Sequence, residues 1–344
     1  MDRPHGVYTA LVTPFGEALE IDWDRFDRLL ELQRAGGVRG VVVGGTTAES
    51  PTLAPEELTA LAARALERLP GSMEVIAGTG RSDPRETERL TGTLADQGIR
   101  RFLVVDPAYN APSSAEIRRE YLQPLAERHP DLEFLPYVVP GRTGARLLPV
   151  DLELARTASP NIVGVKDACG ETEYSRELRR CLPVPFSLLS GDDGRAVEMI
   201  RDRAISANGL VSVVANVAPA LAARVMEAAR TADAEGLRRW EPGFSALAKT
   251  VSLTATEETP RGPVTVRVRN PVPTKALFGL LGASVGPCRP PLGRLTPGAF
   301  VGLEQVAREL QSRDPATVEL VRRHLGADSP DAEGAASRWR YDRY

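Results

Sequence analysis

The stretch Ile162-Val163-Gly164-Val165-Lys166-Asp167 is a short apolar run that ends in a charged pair. Runs of the same kind, rich in Val, Ile and Leu, recur along the chain before it and after it. The eight runs are Gly6–Phe15, Gly40–Gly45, Met73–Gly80, Arg101–Pro107, Leu132–Pro140, Ile162–Ala168, Phe186–Ser190 and Gly209–Ala215. Nearly continuous runs of Val, Ile and Leu indicate strands that are covered on both faces, as in a parallel sheet.

Helical patterns separate these runs, as at Asp22–Arg34, Pro55–Leu69 and Asp83–Gln97. The second and third of them start with proline and acidic residues, which favour a helix N-terminus. Eight strands that alternate with helices predict a (β/α)₈ (TIM) barrel, of class α/β, followed by a small C-terminal helical region. The alternative is an open, doubly wound sheet. The number of units and the lack of a Gly-x-Gly-x-x-Gly turn after the first strand weigh against it.

The sequence predicts three regions. Residues 1–225 form the barrel, residues 226–312 form the helical region, and residues 313–344 form a polar extension. Between residues 264 and 268 valines alternate with polar residues, which predicts an inserted hairpin at about residues 250–270. The extension is either a partly ordered tail or a segment that docks on a neighbouring subunit. The aromatic residues that would dock are Trp339, Tyr341 and Tyr344.

The composition excludes several classes of protein. The chain of 344 residues has 43 basic and 46 acidic residues and a formal net charge of −3, which gives no electrostatic footprint for nucleic acid. No apolar run approaches the roughly 20 residues that span a bilayer, and no charged and then apolar leader starts the chain, so we expect neither membrane insertion nor secretion. Three scattered cysteines without a CxxC spacing favour a cytoplasmic protein.

Only three of the 43 basic residues are lysines, and an arginine cannot replace an amine that must lose its proton. Lys166 lies at the end of the sixth predicted strand, where barrel enzymes place their reactive groups. Burial there favours the uncharged amine, which attacks carbonyl carbons. The alternative is a lysine that extends to the rim or pairs with Asp167. We expect Lys249 and Lys275, in the helical region, to be structural.

Other predicted strand ends add polar groups. The turn Gly45-Thr46-Thr47 offers backbone N–H groups and hydroxyls to a carboxylate. Tyr137 on the fifth strand is suited either to proton relay or to core packing, and Tyr109 places a second phenol at the mouth. Arg142, in a turn flanked by glycines, is either a bidentate carboxylate ligand or a solvated loop charge. We expect Asp192-Asp193 to cap the next helix rather than to bind a metal.

The three histidines lie apart, so we expect no metal site. An amine, hydroxyls, phenols and an arginine remain, and this set suits imine chemistry on a keto acid. The chain resembles the dihydrodipicolinate synthase / N-acetylneuraminate lyase family of class I, pyruvate-dependent aldolases over about residues 6–310. The matching blocks are Thr13-Pro14-Phe15, Gly45-Thr46-Thr47-Ala48-Glu49-Ser50, Ala77-Gly78-Thr79-Gly80, Tyr109-Asn110, Tyr137 with Arg142-Thr143-Gly144, Gly164-Val165-Lys166-Asp167, Ser190-Gly191-Asp192-Asp193 and Asn270-Pro271-Val272-Pro273-Thr274-Lys275.

The resemblance implies a catalytic role for several of these residues. Lys166 matches the lysine that forms an imine with pyruvate, and Tyr137 matches the phenol that shuttles protons. Thr46 and Thr47 match the pair that binds the carboxylate of pyruvate, and Thr46 also joins the proton relay. Gly45, in the same turn, is expected to bind substrate with them.

The resemblance also implies roles for three further residues and an assembly of subunits. Tyr109 matches a relay tyrosine that reaches into the neighbouring subunit's site, and Val211 matches the residue whose carbonyl lies near the imine. Arg142 matches the arginine that binds the carboxylate of the aldehyde. No cofactor is implied beyond the covalent imine at Lys166. A homotetramer or a dimer is implied.

The block Arg142-Thr143-Gly144 is typical of the synthase branch of this family. It favours the condensation of pyruvate with aspartate semialdehyde, a step of the lysine and diaminopimelate pathway. Alternatives within the family are another pyruvate-dependent aldolase, a sugar-acid lyase and a keto-deoxy sugar acid dehydratase. A more remote alternative is a non-catalytic binding protein on the same barrel.

Overall fold

The computed structural model describes residues 2–326, residue 334 and residues 338–344. Among these residues, eight parallel strands close into a barrel in the order of the chain, which confirms the predicted (β/α)₈ fold. The strands are β1 Gly6–Ala10, β2 Gly40–Val43, β3 Glu74–Gly78, β4 Arg101–Val105, β5 Glu133–Val138, β6 Gly164–Asp167, β7 Ser187–Ser190 and β8 Gly209–Ser212.

The helices that surround the barrel follow these strands. They are α1 Trp23–Gly36, α2 Pro55–Arg68, α3 Pro84–Asp96, α4 Ser114–Glu116, α5 Gln123–Arg128, α6 Pro140–Thr143, α7 Pro149–Ala158, α8 Thr172–Cys181, α9 Ala196–Arg201 and α10 Pro219–Arg230. A π-helical segment, Ile117–Leu122, joins α4 to α5. Local sequence explains where several begin: Asp22 caps α1 by accepting from the Arg25 N–H at 3.0 Å, and Asp83 caps α3 in the same way.

Several strands end earlier than the apolar runs that predicted them. The first run extends to Phe15, whereas β1 ends at Ala10. Leu11, Val12 and Phe15 are nevertheless buried, because the chain continues over the mouth of the barrel and bonds to side chains there. The Val12 N–H, for example, donates to Asn216 Oδ1 at 2.9 Å. Burial therefore continues past the point at which strand pairing stops.

The lumen of the barrel is filled by side chains that alternate with those facing the helices. The lumen residues are Tyr8, Ala10, Val42, Ile76, Leu103, Leu135, Tyr137, Val139, Val163, Leu189 and Val211. A packed lumen of this kind leaves no channel through the barrel. The space for a substrate is thus at the ends of the barrel, outside this packed layer.

The N-terminal end of the barrel is closed by a network of charged side chains. Arg101 is buried and forms ion pairs with Glu74 and Glu133, the latter at 2.6 Å. The Tyr8 hydroxyl donates to Glu74 at 3.0 Å, and burial together with this carboxylate raises the pKa of Tyr8. The charged groups of this network bond to one another. The candidate site is therefore formed by the polar groups at the opposite, C-terminal end of the barrel.

The C-terminal region packs against one side of the barrel. It contains α11 Ala234–Ala248, β9 Ser252–Thr259, β10 Gly262–Arg269, α12 Val272–Leu280, α13 Pro297–Arg313 and α14 Pro315–Leu325. β9 and β10 form an antiparallel hairpin in which Val266 pairs with Ala255. The hairpin lies on α13, where Glu257 accepts from the Gly298 N–H at 2.9 Å. No helix among the described residues is long and apolar enough to cross a membrane.

The last seven residues return to the body of their own chain. The Trp339 side chain is 2% exposed, and a Cβ at Gly279 would lie 2.5 Å from its Nε1. The Leu295 N–H donates to the Trp339 carbonyl at 2.8 Å. Docking of Trp339 on a neighbouring subunit is therefore wrong, because its ring is already buried here. Tyr341 and Tyr344 are exposed, and residues 327–333 and 335–337 of the extension lie outside the described residues.

Candidate active site

Lys166 and Tyr137 lie side by side on neighbouring strands at the C-terminal end of the barrel. The register of β5 and β6 places the two residues opposite one another. The Lys166 Nζ lies 4.0 Å from the centroid of the Tyr137 ring. Both side chains are buried, at 5% and 6% exposed. Gly191 makes room for the lysine, since a Cβ at that position would lie 3.0 Å from the lysine Cε.

Lys166 has no carboxylate partner among the described residues. The nearest candidate along the chain, Asp167, points away from it and is engaged elsewhere: it accepts from the Cys169 N–H at 2.9 Å and from the Ser175 hydroxyl at 2.6 Å. The alternative in which Lys166 pairs with Asp167 is therefore wrong. A buried amine without a counter-ion, beside a phenol, is an arrangement that can attack a carbonyl carbon and exchange protons.

The turn after β2 has the hydroxyls and N–H groups that the sequence indicated. Gly44 adopts a φ of 67°, and a Cβ there would lie 2.3 Å from a methyl of Leu58, so this position requires glycine. Gly45 then leads into the 3₁₀ turn Thr46–Ala48. Thr47 is 2% exposed, whereas Thr46 is half-buried. The turn is suited to hold a small carboxylate at the barrel mouth.

Asn270 connects this turn to Arg142. Its Nδ2 donates to the Thr47 hydroxyl at 2.9 Å, and its Oδ1 accepts from Arg142 Nη2 at 2.5 Å. Asn270 itself is 7% exposed. Asn270 belongs to one of the matching blocks, but neither its residue type nor its context predicts a role. Its position directly after the predicted hairpin was the signal that it returns the chain to the barrel mouth.

Arg142 lies in the short helix α6, which follows β5. Besides the side-chain bond, its Nη2 donates to the Asn270 carbonyl at 3.3 Å. Desolvation lowers the pKa of the Arg142 guanidinium, and the positive charges of Arg269 and Arg267 act in the same direction, against the effect of Tyr137. Arg142 is therefore anchored at one edge of its guanidinium, and its other N–H groups are free to bind an anion.

Val211 and Tyr109 lie at opposite extremes of exposure. Val211 is fully buried in the lumen on β8, where it pairs with Tyr8 of β1. Tyr109 is 95% exposed, on the loop after β4, and adopts a φ of 77°. The structure therefore does not bring the Tyr109 phenol to the site of its own chain. Its expected contact with a neighbouring subunit stays a prediction.

The acidic pair after β7 performs two structural functions. Asp192 caps the following turn by accepting from the Gly194 N–H at 2.8 Å, as the sequence indicated. Asp193 is buried and accepts from the Ser212 hydroxyl and, at 2.9 Å, from the Val213 N–H. Burial raises the pKa of Asp193 to about 6. Asp193 therefore fixes the C-terminal end of β8 rather than capping a helix.

The other lysines have no place in this site. Lys275 is fully buried, pairs with Glu49 at 2.6 Å and donates to the Pro287 carbonyl at 2.8 Å. Lys249 is exposed beyond the end of α11. Among the described residues, no group of three or more His, Cys, Asp or Glu side chains is placed to hold a metal ion. The three cysteines are free thiols.

A barrel with a buried lysine and tyrosine at its C-terminal end, beside a Gly-Thr-Thr turn, defines a (β/α)₈-barrel enzyme with an amine nucleophile. The sequence matches the Dihydrodipicolinate synthetase family over residues 3–309. The chain belongs to this family.

Individual relatives agree with this assignment. The chain is 36% identical to the 4-hydroxy-tetrahydrodipicolinate synthase of Xylella fastidiosa over 282 residues, which cover 82% of this chain and 86% of the relative. It is 35% identical to the enzyme of the same name from Sorangium cellulosum over 318 residues, which cover 91% and 98%.

Solved structures of similar proteins have the same architecture. The dihydrodipicolinate synthase of Aquifex aeolicus superposes with a TM-score of 0.79 at 28% identity, with 90% of this chain and 99% of that chain covered. The 4-hydroxy-tetrahydrodipicolinate synthase of Methylacidiphilum fumariolicum gives the same TM-score and identity, with 94% and 100% covered. The similarity thus extends over nearly the whole of those chains.

Proposed function

We propose that this protein is a 4-hydroxy-tetrahydrodipicolinate synthase, which condenses pyruvate with aspartate semialdehyde. The observation that carries the proposal is the buried Lys166 amine, which has no carboxylate partner among the described residues and lies 4.0 Å from the centroid of the Tyr137 ring. The relatives named for this activity support the choice of reaction. The covalent imine takes the place of a cofactor.

The first half of the reaction activates pyruvate. The Lys166 amine attacks the ketone carbon, and loss of water gives a protonated imine. Tyr137 passes the protons that this dehydration requires, and the contact of its ring with the amine supports this role. The Thr46-Thr47 turn binds the pyruvate carboxylate through its N–H groups and hydroxyls. The imine nitrogen then draws electrons from the methyl group, and loss of a methyl proton gives an enamine.

The second half forms the carbon–carbon bond. The enamine carbon attacks the aldehyde carbon, and the aldehyde oxygen takes up a proton as the bond forms. Arg142 binds the carboxylate of the aldehyde through the N–H groups that Asn270 leaves free. The amino group of the aldehyde substrate then attacks the imine carbon. This step closes the ring and releases Lys166 as a free amine.

The assembly and compartment follow from the same proposal. Tyr109 is almost fully exposed in the single chain, and an exposed phenol on a mouth loop is available to a second copy. We therefore propose a homo-oligomer, a dimer or tetramer, in which Tyr109 completes the relay of the neighbouring site. Three free thiols suit a reducing compartment such as the cytoplasm.

A substrate panel tests the proposal. Steady-state rates are measured with pyruvate and either aspartate semialdehyde or an aldehyde sugar, and in the cleavage direction with keto-deoxy sugar acids. We expect a clear preference in kcat/KM for aspartate semialdehyde. A higher kcat/KM for a sugar acid would replace the proposed reaction by lyase or dehydratase chemistry on the same imine.

A further inference from the structure

The hairpin presents a basic edge toward the barrel mouth. Arg267 and Arg269 lie two residues apart on β10 and therefore share one face of the strand. On the other face, Val268 packs against the core of the chain. The next residue along the chain is Asn270, which binds Arg142 and Thr47. β10 thus delivers two guanidinium groups directly beside the candidate site.

Contacts place these two arginines beside Arg142. Arg269 Nη1 donates to the carbonyl of Gly141, the residue before Arg142, at 2.7 Å. Arg267 Nε donates to the Ser252 hydroxyl at 2.7 Å, across the hairpin. The charges of both contribute to the lowered pKa of Arg142. Three guanidinium groups therefore lie together, each anchored through only part of its donor set.

The positive charge of this cluster is not compensated within the described part of the chain. Arg142, Arg267 and Arg269 bond only to neutral oxygens, and none of them forms an ion pair there. Other arginines near the barrel mouth behave differently: Arg289 pairs with Glu57 at 2.6 Å, and Arg146 pairs with Glu171 at 2.8 Å. Like charges that are held together without a counter-ion repel one another, and an anion bound between them removes that repulsion.

We propose that Arg269, supported by Arg267, forms a carboxylate-binding site with Arg142 and determines specificity for the acid group of the aldehyde. Arg269 shares the carboxylate with Arg142, whereas the more exposed Arg267 attracts the anion toward the mouth. The identity of the aldehyde in this inference rests on the proposed function. The binding of a carboxylate by the three arginines does not depend on it. The ligand class is an aldehyde that bears a carboxylate, and a dicarboxylate without an aldehyde binds there as well.

Steady-state kinetics of the full chain test whether Arg269 and Arg267 bind the carboxylate of the aldehyde. Arg269→Ala should raise the KM for aspartate semialdehyde roughly 10- to 100-fold, which is the range for a lost charged hydrogen bond. It should leave kcat and the KM for pyruvate within about threefold, and Arg269→Lys should recover part of the loss because the charge is kept. Arg267→Ala should cause a smaller loss that added NaCl abolishes. The matched control is Arg261→Ala, at the exposed turn of the same hairpin.

A binding measurement separates this inference from the proposed function. Isothermal titration calorimetry of pyruvate-loaded protein with succinate measures binding at the carboxylate site without turnover. We expect wild-type protein to bind succinate and Arg269→Ala to bind it at least about tenfold more weakly. Equal binding by the two proteins, or none by wild type, overturns the inference. Succinate binding through Arg269 without turnover of aspartate semialdehyde would contradict the proposed function alone.

Discussion

Substitution of Asn270 tests most directly the link between the Thr46-Thr47 turn and Arg142. Asn270→Ala deletes a neutral bond to the Thr47 hydroxyl at 2.9 Å and a charged bond from Arg142 at 2.5 Å. A neutral bond contributes about 1 kcal/mol and a charged one about 1.5 to 3 kcal/mol, and only the charged bond holds Arg142, the proposed ligand of the aldehyde. At about 1.4 kcal/mol per tenfold change in rate, kcat/KM for the aldehyde should fall roughly 10- to 150-fold.

The assay is steady-state kinetics with each substrate varied in turn. The KM for pyruvate should rise only about fivefold, because pyruvate is affected through the Thr47 bond alone. Asn270→Asp retains an acceptor for Arg142 and loses the donor to Thr47, so it should affect pyruvate more than the aldehyde. The control is Asn161→Ala, whose amide bonds to three carbonyls at the closed end of the barrel and should change stability alone. A kcat/KM of Asn270→Ala within about threefold of wild type for both substrates would contradict this prediction.

Three further predictions concern stability, each read by urea denaturation. Burial raises the pKa of Asp106 to about 7. The free energy of unfolding should therefore fall as pH rises from about 4 to 7, because the unfolded chain loses the proton first. Between pH 5 and pH 8, the stability of Asp106→Asn relative to wild type should increase by about 3 kcal/mol. Lys275→Met leaves Glu49 buried without its partner and should cost about 3 to 5 kcal/mol, most of which the added change Glu49→Gln should restore. Trp339→Ala should cost about 3 to 5 kcal/mol. A free energy of unfolding that does not change with pH would contradict the first prediction. Urea midpoints equal to wild type for Lys275→Met or Trp339→Ala would contradict the other two.

The strands and their order were predictable because they depend on local patterns. Each apolar run of the barrel contains a strand, and alternation with helices determines the parallel, closed sheet. Lys166 was predictable for a related reason: a lysine at the end of a buried run projects toward the mouth in any such barrel. The neighbouring positions of Lys166 and Tyr137 follow directly from strand order.

Contacts between residues distant in the sequence could not be predicted in the same way. Asn270 lies 223 residues from Thr47, and only the course of the hairpin brings the two together. The pairing of Lys275 with Glu49 depends on the same packing of the C-terminal region on the barrel. The partner of Trp339 was not predictable, because an aromatic residue in a polar tail has no local signal for its partner. Tertiary packing, which no local pattern encodes, decided each of these positions.

The proposed mechanism depends on an imine between Lys166 and pyruvate. Reduction of the full chain with borohydride in the presence of pyruvate, followed by peptide mass spectrometry, tests it directly. We expect a reduced pyruvyl adduct on the peptide that contains Lys166, unmodified Lys249 and Lys275, and no adduct in Lys166→Ala. An adduct that persists in Lys166→Ala, or no adduct in the wild-type protein, would contradict imine formation at Lys166.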